Sequence, residues 1–282
     1  MRWLAQPDEG GVTIIGALAS GHGNIAAHAR ARELTRRELT MGDAKKILVI
    51  DVGGTHVKAS ATGTNERVKI PSGTSMTAKR MITALKKATA DWQYDVVSLG
   101  YPGFVYDGRP ICDPANLGAG WVGFDFTKAF DCPVRVINDA AMQALGSYQG
   151  GRMLFLGFGT GLGSAMVVDG VPDAMEIAHL TYRNGRSYES YVGAAGLAES
   201  GTKKWRKNAR DVIDQLVKAF AADYAVLGGG NAARLGALPP NTMLGSNDNA
   251  FLGGYRLWDE PSEIAKAVSK LRAPRTRKRP SS

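Results

Sequence analysis

Ile50-Asp-Val-Gly-Gly-Thr-His-Val-Lys58 is the stretch on which the reading of this chain turns, because an acid closes an apolar run and two glycines follow at once. Ile47 to Ile50 predicts a short buried strand, and His56 to Thr62 alternates as a second, with Gly53 and Gly54 in the turn between them. Glycine tolerates positive φ and has no side chain to bar an incoming oxyanion, while Thr55 adds a hydroxyl and successive amides can point at the anion. Asp51, at the strand end, is placed to hold a magnesium ion, directly or through water. A plain β-hairpin with a glycine turn and a solvated aspartate fits this stretch as well, and short motifs carry a high false-positive risk.

The chain repeats the plan about a hundred residues later. Met153 to Phe158 is apolar, Gly159-Thr160-Gly161-Leu162-Gly163 follows, and Ala165 to Val168 leads to an Asp169-Gly170 turn. Two such hairpins predict two similar halves, each offering a backbone cradle to one polyphosphate chain. A third element, Tyr224-Ala-Val-Leu-Gly-Gly-Gly-Asn231, comes after a helical pattern from about Trp205 to Phe220, whose face is formed by Val212, Leu216, Val217 and Phe220. Its three glycines, Gly228, Gly229 and Gly230, allow a flat ring to lie on bare backbone, or serve a tight strand-to-helix turn.

With these elements in order, the chain resembles sugar kinases of the ROK family (repressors, uncharacterised reading frames and kinases), within the superfamily of sugar kinases, heat-shock chaperones and actin. The resemblance runs from about Ile47 to Trp258. It implies that Asp51 to Thr55 is the first phosphate loop, Gly159 to Gly161 the second, and Gly228 to Asn231 the adenosine turn. In Val134-Arg-Val-Ile-Asn-Asp-Ala-Ala141 an aspartate opens a helical stretch, where it would serve as an N-cap. The resemblance gives Asp139 a further role, as the general base that takes the proton from the sugar hydroxyl. Because the transition state of phosphoryl transfer is loose, positioning and charge stabilisation carry most of the catalysis.

Glu176 and His179 stand three residues apart, so on a helical turn they share one face and could hold sugar hydroxyls. The pair resembles the family's Glu-x-Gly-His sugar clamp, with Ala178 in place of the glycine. Glu189 resembles the family's second sugar-binding glutamate, and Asn116, before Trp121, a sugar-binding asparagine; Asn138 joins them beside Asp139. Each of these polar residues, taken singly, is also what a surface or capping group looks like. Many members of the family carry a zinc-binding cysteine cluster between the histidine and the following glutamate, whereas Leu180 to Tyr188 has no cysteine. Cys112 and Cys132 cannot complete a four-ligand site, so no zinc is expected. This shorter connection resembles the polyphosphate glucokinase branch, as does Lys58, which closes the first loop and either touches phosphate or points to solvent.

The 282 residues, 44% of them hydrophobic, suffice for one large or two moderate domains with full cores. No apolar run approaches membrane-spanning length, and two cysteines without a framework fit a reducing cytoplasm. The formal charge of +9 is concentrated at the end of the chain, where residues 266–282 hold seven Lys or Arg and no acid. Such a tail can touch any polyanion, which does not define a specific nucleic-acid partner.

The expected fold is two-lobed, actin-like (ribonuclease H-like) α/β, with mixed sheets flanked by helices. Residues 1–43 form an N-terminal extension that Met41 would exclude as a start, 44–137 the first lobe, 138–258 the second, and 259–282 a largely disordered basic tail. The expected activity is phosphoryl transfer from polyphosphate or ATP, with magnesium, to the 6-hydroxyl of a hexose, glucose above others, in a cytoplasmic enzyme that could be a homodimer. The alternatives are a kinase for another hexose and a sugar-binding regulator without kinase activity. The basic segment Lys203-Lys-Trp-Arg-Lys207 with Arg210 either follows a polyanionic donor or forms a solvated helix face.

Overall fold

A computed structural model describes residues 45–246 and 248–272. The N-terminal extension and the end of the tail lie outside the described residues. The first sheet begins as an antiparallel meander of β1 (Ile47–Val52), β2 (His56–Ala61) and β3 (Val68–Pro71). Helix α1 (Ala78–Ala88) then crosses to β4 (Val96–Tyr101), which pairs parallel to β1. Thr77 caps α1 by accepting from the Arg80 amide, and Ala78, Met81, Ile82 and Leu85 form its buried stripe at helical spacing.

A small hairpin, β5 (Val105–Tyr106) and β6 (Arg109–Pro110), and the short α2 (Phe126–Phe130) lead to β7 (Val134–Asn138), parallel to β4. The order is therefore β3-β2-β1-β4-β7. All six residues of both β1 and β4 are buried, as continuous apolar runs in a sheet covered on both faces should be.

Helix α3 (Asp139–Ser147) links the halves. The second sheet repeats the plan: β8 (Arg152–Phe158), β9 (Leu162–Val168) and β10 (Val171–Met175) form an antiparallel meander. A hairpin of β11 (Thr181–Arg183) and β12 (Arg186–Ser187), then α4 (Tyr188–Val192) and the long α5 (Ala194–Ala219), precede β13 (Tyr224–Gly228), which pairs parallel to β8. Beyond it lies β14 (Thr242–Leu244), giving β10-β9-β8-β13-β14. Helix α5 starts earlier than the sequence pattern suggested and bends at Gly201, where φ is 72°. Its buried residues cluster after the bend, at Trp205, Ala209, Val212, Ile213 and Leu216, so only that portion shows an apolar period.

Two helices close the described chain, and both depart from expectation. Helix α6 (Asn249–Arg256), placed by sequence order in the second lobe, covers the first sheet instead: Ala250 and Phe251 pack with Ile47, Val49, Val96 and Met142. Helix α7 (Pro261–Arg272) occupies half of the stretch 259–282 expected to be a largely disordered tail. Ile264 and Val268, four residues apart, are buried with Tyr148, Met153, Val167 and Tyr224, and that apolar pair outweighs the flanking charge.

Helices α3 and α6 cross at unusually short range. A Cβ at Gly146 would collide with the Asn249 carbonyl, and one at Gly253 with the Met142 carbonyl, so each helix supplies a notch for the other's backbone. The partly buried Arg256 fastens the crossing by donating from Nη1 to the carbonyls of Leu145, Gly146 and Tyr148, at the C-terminal end of α3 where a cation is favoured.

Candidate active site

The candidate residues gather at the carboxyl ends of the parallel strands of both sheets, where open α/β sheets place their ligands. The first glycine loop joins β1 to β2 and closes on itself through the Gly53 amide and the His56 carbonyl at 3.0 Å. Ser72, just beyond β3, braces it: its hydroxyl donates to the Gly53 carbonyl at 2.6 Å and its amide to the Thr55 carbonyl at 2.9 Å. Ser72 carried no motif in the sequence, because its place depends on the β2–β3 register.

Asp51 and Lys58 are directly paired in the β1–β2 register, and Lys58 Nζ lies 3.4 Å from Asp51 Oδ2. The lysine therefore turns toward the loop. Burial pushes the Asp51 carboxyl up, while the Lys58 charge pulls it part of the way back. Gly54 approaches Asn116, whose Cβ would be 3.3 Å from a Cβ at that glycine. The exposed Asn116 rides on a loop fixed by Asp113, whose Oδ1 accepts from the amides of Trp121 at 2.8 Å and Gly120 at 3.1 Å. Those amides hold the Asp113 carboxyl below its usual value. An aspartate opening a glycine-rich loop is a readable signal, and Asp113 was missed.

Asp139 is the first residue of α3, but the cap is Asn138. Asn138 Oδ1 accepts from the amides of Ala140 at 3.0 Å and Ala141 at 3.1 Å, and its Nδ2 donates to the Gly103 carbonyl at 3.1 Å. Both ends of the Asn138 amide thus have partners within the protein, and they fix the start of the helix. The expectation of Asp139 as a cap gives way because asparagine one residue earlier satisfies the helix amides, leaving the aspartate to the site. One Asp139 oxygen accepts from the Ala140 amide at 2.8 Å. Burial, the negative charge of Asp51 and that of Glu176 push its carboxyl up to about 7. Asp51 and Asp139 lie two strands apart, with Gly100 of β4 between them.

The second loop, Gly159-Thr160-Gly161, closes the β8–β9 hairpin, and the Gly159 amide donates to the Gly161 carbonyl at 3.0 Å. It approaches the start of α3, since a Cβ at Gly163 would lie 3.1 Å from that of Ala140. The glycine turn after β13 is tied to it: the Asn231 amide donates to the Phe158 carbonyl at 2.9 Å and its Nδ2 to the Gly159 carbonyl at 3.2 Å. Asn231 thus joins the two glycine segments. Among the basic residues of α5, Trp205 is buried in the core, and Arg206 and Arg210 donate to the carbonyls of Arg234, Leu235 and Ala237. These two arginines clamp the segment after the glycine turn, while Lys203, Lys204 and Lys207 remain exposed.

Glu176 caps and His179 ends a single 3-10 turn, Ile177–His179, and both residues are exposed overall. Partial desolvation of its carboxylate raises Glu176 above its usual value, the His179 charge lowers it and the Glu189 charge adds to the rise, so the three lie within electrostatic reach. The cysteine-free connection between them is the β11–β12 hairpin, packed by aromatic rings: Tyr182 stacks on Tyr188 at 5.0 Å and meets Tyr191 edge-on at 5.1 Å. These rings fix the distance from His179 to Glu189 by contact. Glu189, in the first turn of α4, accepts from the Leu162 amide at 3.2 Å, a link between sugar candidates and second loop that the sequence did not signal.

Magnesium fits this arrangement. The charge of Asp51 opposes ionisation of Asp139, a surplus of negative charge that a cation would relieve. No cluster of three or more metal-binding side chains occurs among the described residues. One or two carboxylates with water and donor phosphates is how magnesium is commonly held.

Two actin-like α/β lobes, each presenting a glycine loop at the end of its meander, define the class of this protein. Residues 47–174 match the model of the ROK family. Over 139 residues the chain is 31% identical to an N-acetylmannosamine kinase of Escherichia fergusonii, covering 44% of this chain and 47% of that protein, about half its length. Over 203 residues it is 24% identical to a polyphosphate glucokinase of Mycobacterium tuberculosis, covering 64% and 76% of the two chains. The crystal structure of an inorganic polyphosphate/ATP-glucomannokinase from Arthrobacter sp. strain KM superposes with a TM-score of 0.65 at 22% identity, over 79% of this chain and 99% of that one. That likeness establishes the two-lobed fold.

Proposed function

We propose that the chain is a hexose kinase that moves a phosphoryl group from ATP or inorganic polyphosphate to the 6-hydroxyl of its sugar, with glucose the leading substrate. The observation that carries the reading is Asp139, a partly accessible carboxylate pushed up to about 7 where the ends of both sheets meet. An acid tuned near neutrality is suited to accept a proton as the sugar oxygen becomes a nucleophile.

In this reading Glu176, His179, Glu189 and Asn116 hold the sugar hydroxyls, and Asn138 fixes the helix end that aims Asp139. The sugar O–H proton passes to Asp139 as the new O–P bond forms, and the broken P–O bond leaves its electrons on the departing phosphate. Amides of the loops at Gly53, Gly54 and Thr55 and at Gly159 to Gly161 receive the donor oxygens, Lys58 adds positive charge beside the first loop, and Gly228 to Gly230 offer a surface to adenine. Magnesium, when bound, neutralises charge on the donor phosphates. Closure of the lobes would exclude water as a competing acceptor.

An acylated hexosamine is the second reading of the substrate, favoured by the higher identity to the N-acetylmannosamine kinase. The deciding experiment incubates purified protein and magnesium with glucose, mannose or N-acetylmannosamine, each with ATP or nucleotide-free polyphosphate, and measures the sugar 6-phosphate formed. Turnover of one sugar with either donor is expected. Sugar binding without turnover would make the chain a sugar-binding regulator, and absence of both would end the kinase reading.

A further inference from the structure

The second glycine loop is partly occupied by the protein's own anion. Glu189 Oε2 accepts from the Leu162 amide at 3.2 Å, the backbone donor that directly follows Gly159-Thr160-Gly161. Gly161 is needed for this contact, because a Cβ there would collide with Glu189 Oε2 and reach 3.0 Å from its Cδ. The glycine thus makes room for a carboxylate as well as for a donor. The junction of α4 and α5 is pinned to the same loop: the Ala194 amide donates to the Thr160 carbonyl at 3.0 Å, and the Gly193 amide to the Glu189 carbonyl at 2.8 Å. These bonds tie the backbone that carries Glu189 to the loop, so the shortest way for its carboxylate to leave the Leu162 amide is a turn of the side chain. The same carboxylate faces the sugar candidates, since its charge reaches Glu176.

We propose that Glu189 is a positioning residue that makes donor binding conditional on the sugar, by holding the Leu162 amide until sugar hydroxyls draw its carboxylate away. This rests on the kinase reading of the site. Without sugar, a bare carboxylate beside the second loop repels the donor polyanion and occupies one of its hydrogen-bond donors. With sugar bound, hydroxyl donors satisfy the carboxylate, and the amide becomes available to phosphate. The arrangement suppresses transfer of the phosphoryl group to water when no sugar is present. An effect of this kind is a coupling between two binding sites, and it is reciprocal.

The test is calorimetric titration of the wild-type protein and Glu189→Gln with magnesium and the non-hydrolysable β,γ-imido analogue of ATP, without sugar and at saturating glucose or N-acetylmannosamine. In the wild type the sugar should tighten analogue binding by about 5-fold or more, within the usual range of such couplings. Glutamine keeps the shape but is a weaker acceptor without charge, so Glu189→Gln should bind the analogue more tightly than wild type when no sugar is present. It should also lose the enhancement. Unchanged or weaker sugar-free binding in Glu189→Gln would overturn the proposal, and this arm reads out even if the variant no longer binds sugar. Failure of the wild type to bind any sugar would instead count against the kinase reading. Gly161→Ala provides an independent check, since it displaces the carboxylate without removing its charge; retention of the full sugar effect there would also overturn the proposal.

Discussion

Replacing Asp139 with asparagine should raise stability while removing activity, and the two effects should separate with pH. The ordinary carboxyl value of 3.8 is raised to about 7, so above neutrality the folded protein holds an ionised group that it disfavours. At roughly 1.4 kcal/mol per pH unit, the displacement corresponds to an upper figure of about 4 kcal/mol. Asp139 keeps partial access to water, which reduces the expected gain to about 1–3 kcal/mol, or roughly 2–10 °C in Tm for a chain of this size. Below about pH 4 the acid is protonated whether folded or unfolded, and the wild type and the variant should match. Between pH 4 and 7 the unfolded wild type releases its proton first, so the wild type loses stability relative to the variant; above pH 7 the gap should be constant. The asparagine keeps an acceptor for the Ala140 amide, so the helix start should survive. Urea denaturation of both proteins from pH 4 to 8.5, in magnesium-free buffer, measures the gap, and phosphorylation assays should show kcat lower by at least ~10²-fold. A variant less stable than wild type at pH 8, or a gap that does not change with pH, would refute the reasoning.

In the wild type, kcat/KM should rise with pH toward neutrality as Asp139 ionises, and the residual activity of Asp139→Asn should lack that limb; a pH-rate profile on each checks it. Gly253→Ala drives a methyl group into the Met142 carbonyl, so we expect a loss of about 1–3 kcal/mol in chemical denaturation together with reduced kcat, because α3 carries Asp139. Neutralising the exposed Lys203, Lys204 and Lys207 together should raise KM for polyphosphate more than for ATP and flatten its dependence on salt, as measured in initial-rate assays over a salt series. Chelating magnesium should abolish turnover reversibly, and metal analysis of active protein should find less than one zinc per chain.

Much of the fold was legible because the strands announce themselves as apolar runs ending in glycine turns, and both meanders obey that rule. The loops at Gly53 and Gly159 could be placed for the same reason. What escaped was set by tertiary register. Asn138 looks like a site residue beside Asp139, and only the three-dimensional trace shows its amide divided between helix amides and the Gly103 carbonyl. Arg206 and Arg210 read as free charge because their partners are backbone carbonyls more than twenty residues away. Glu189 could be placed among the sugar candidates, but its grip on Leu162 depends on how α4 meets a hairpin 27 residues earlier. Helix α7 was hidden by its basic surroundings, since two buried residues make a weak pattern.

The return of α6 to the first sheet has a consequence for the order in which this protein can be made. Ile47, Val49 and Val96 complete their cover only when Ala250 and Phe251 join Met142, and Tyr255 and Trp258 reach back to the hydroxyls of Ser60 and Ser98 at 3.0 Å and 2.9 Å. The contacts are separated by 195 and 160 residues. A chain growing from its N-terminus therefore exposes an apolar face on its first sheet throughout synthesis of the second, a state open to misassembly and to chaperone capture. Closing such long loops is slow, so the last step of folding should be the docking of the segment around α6, and ribosome-bound chains that stop before Asn249 should remain protease-sensitive in their first half.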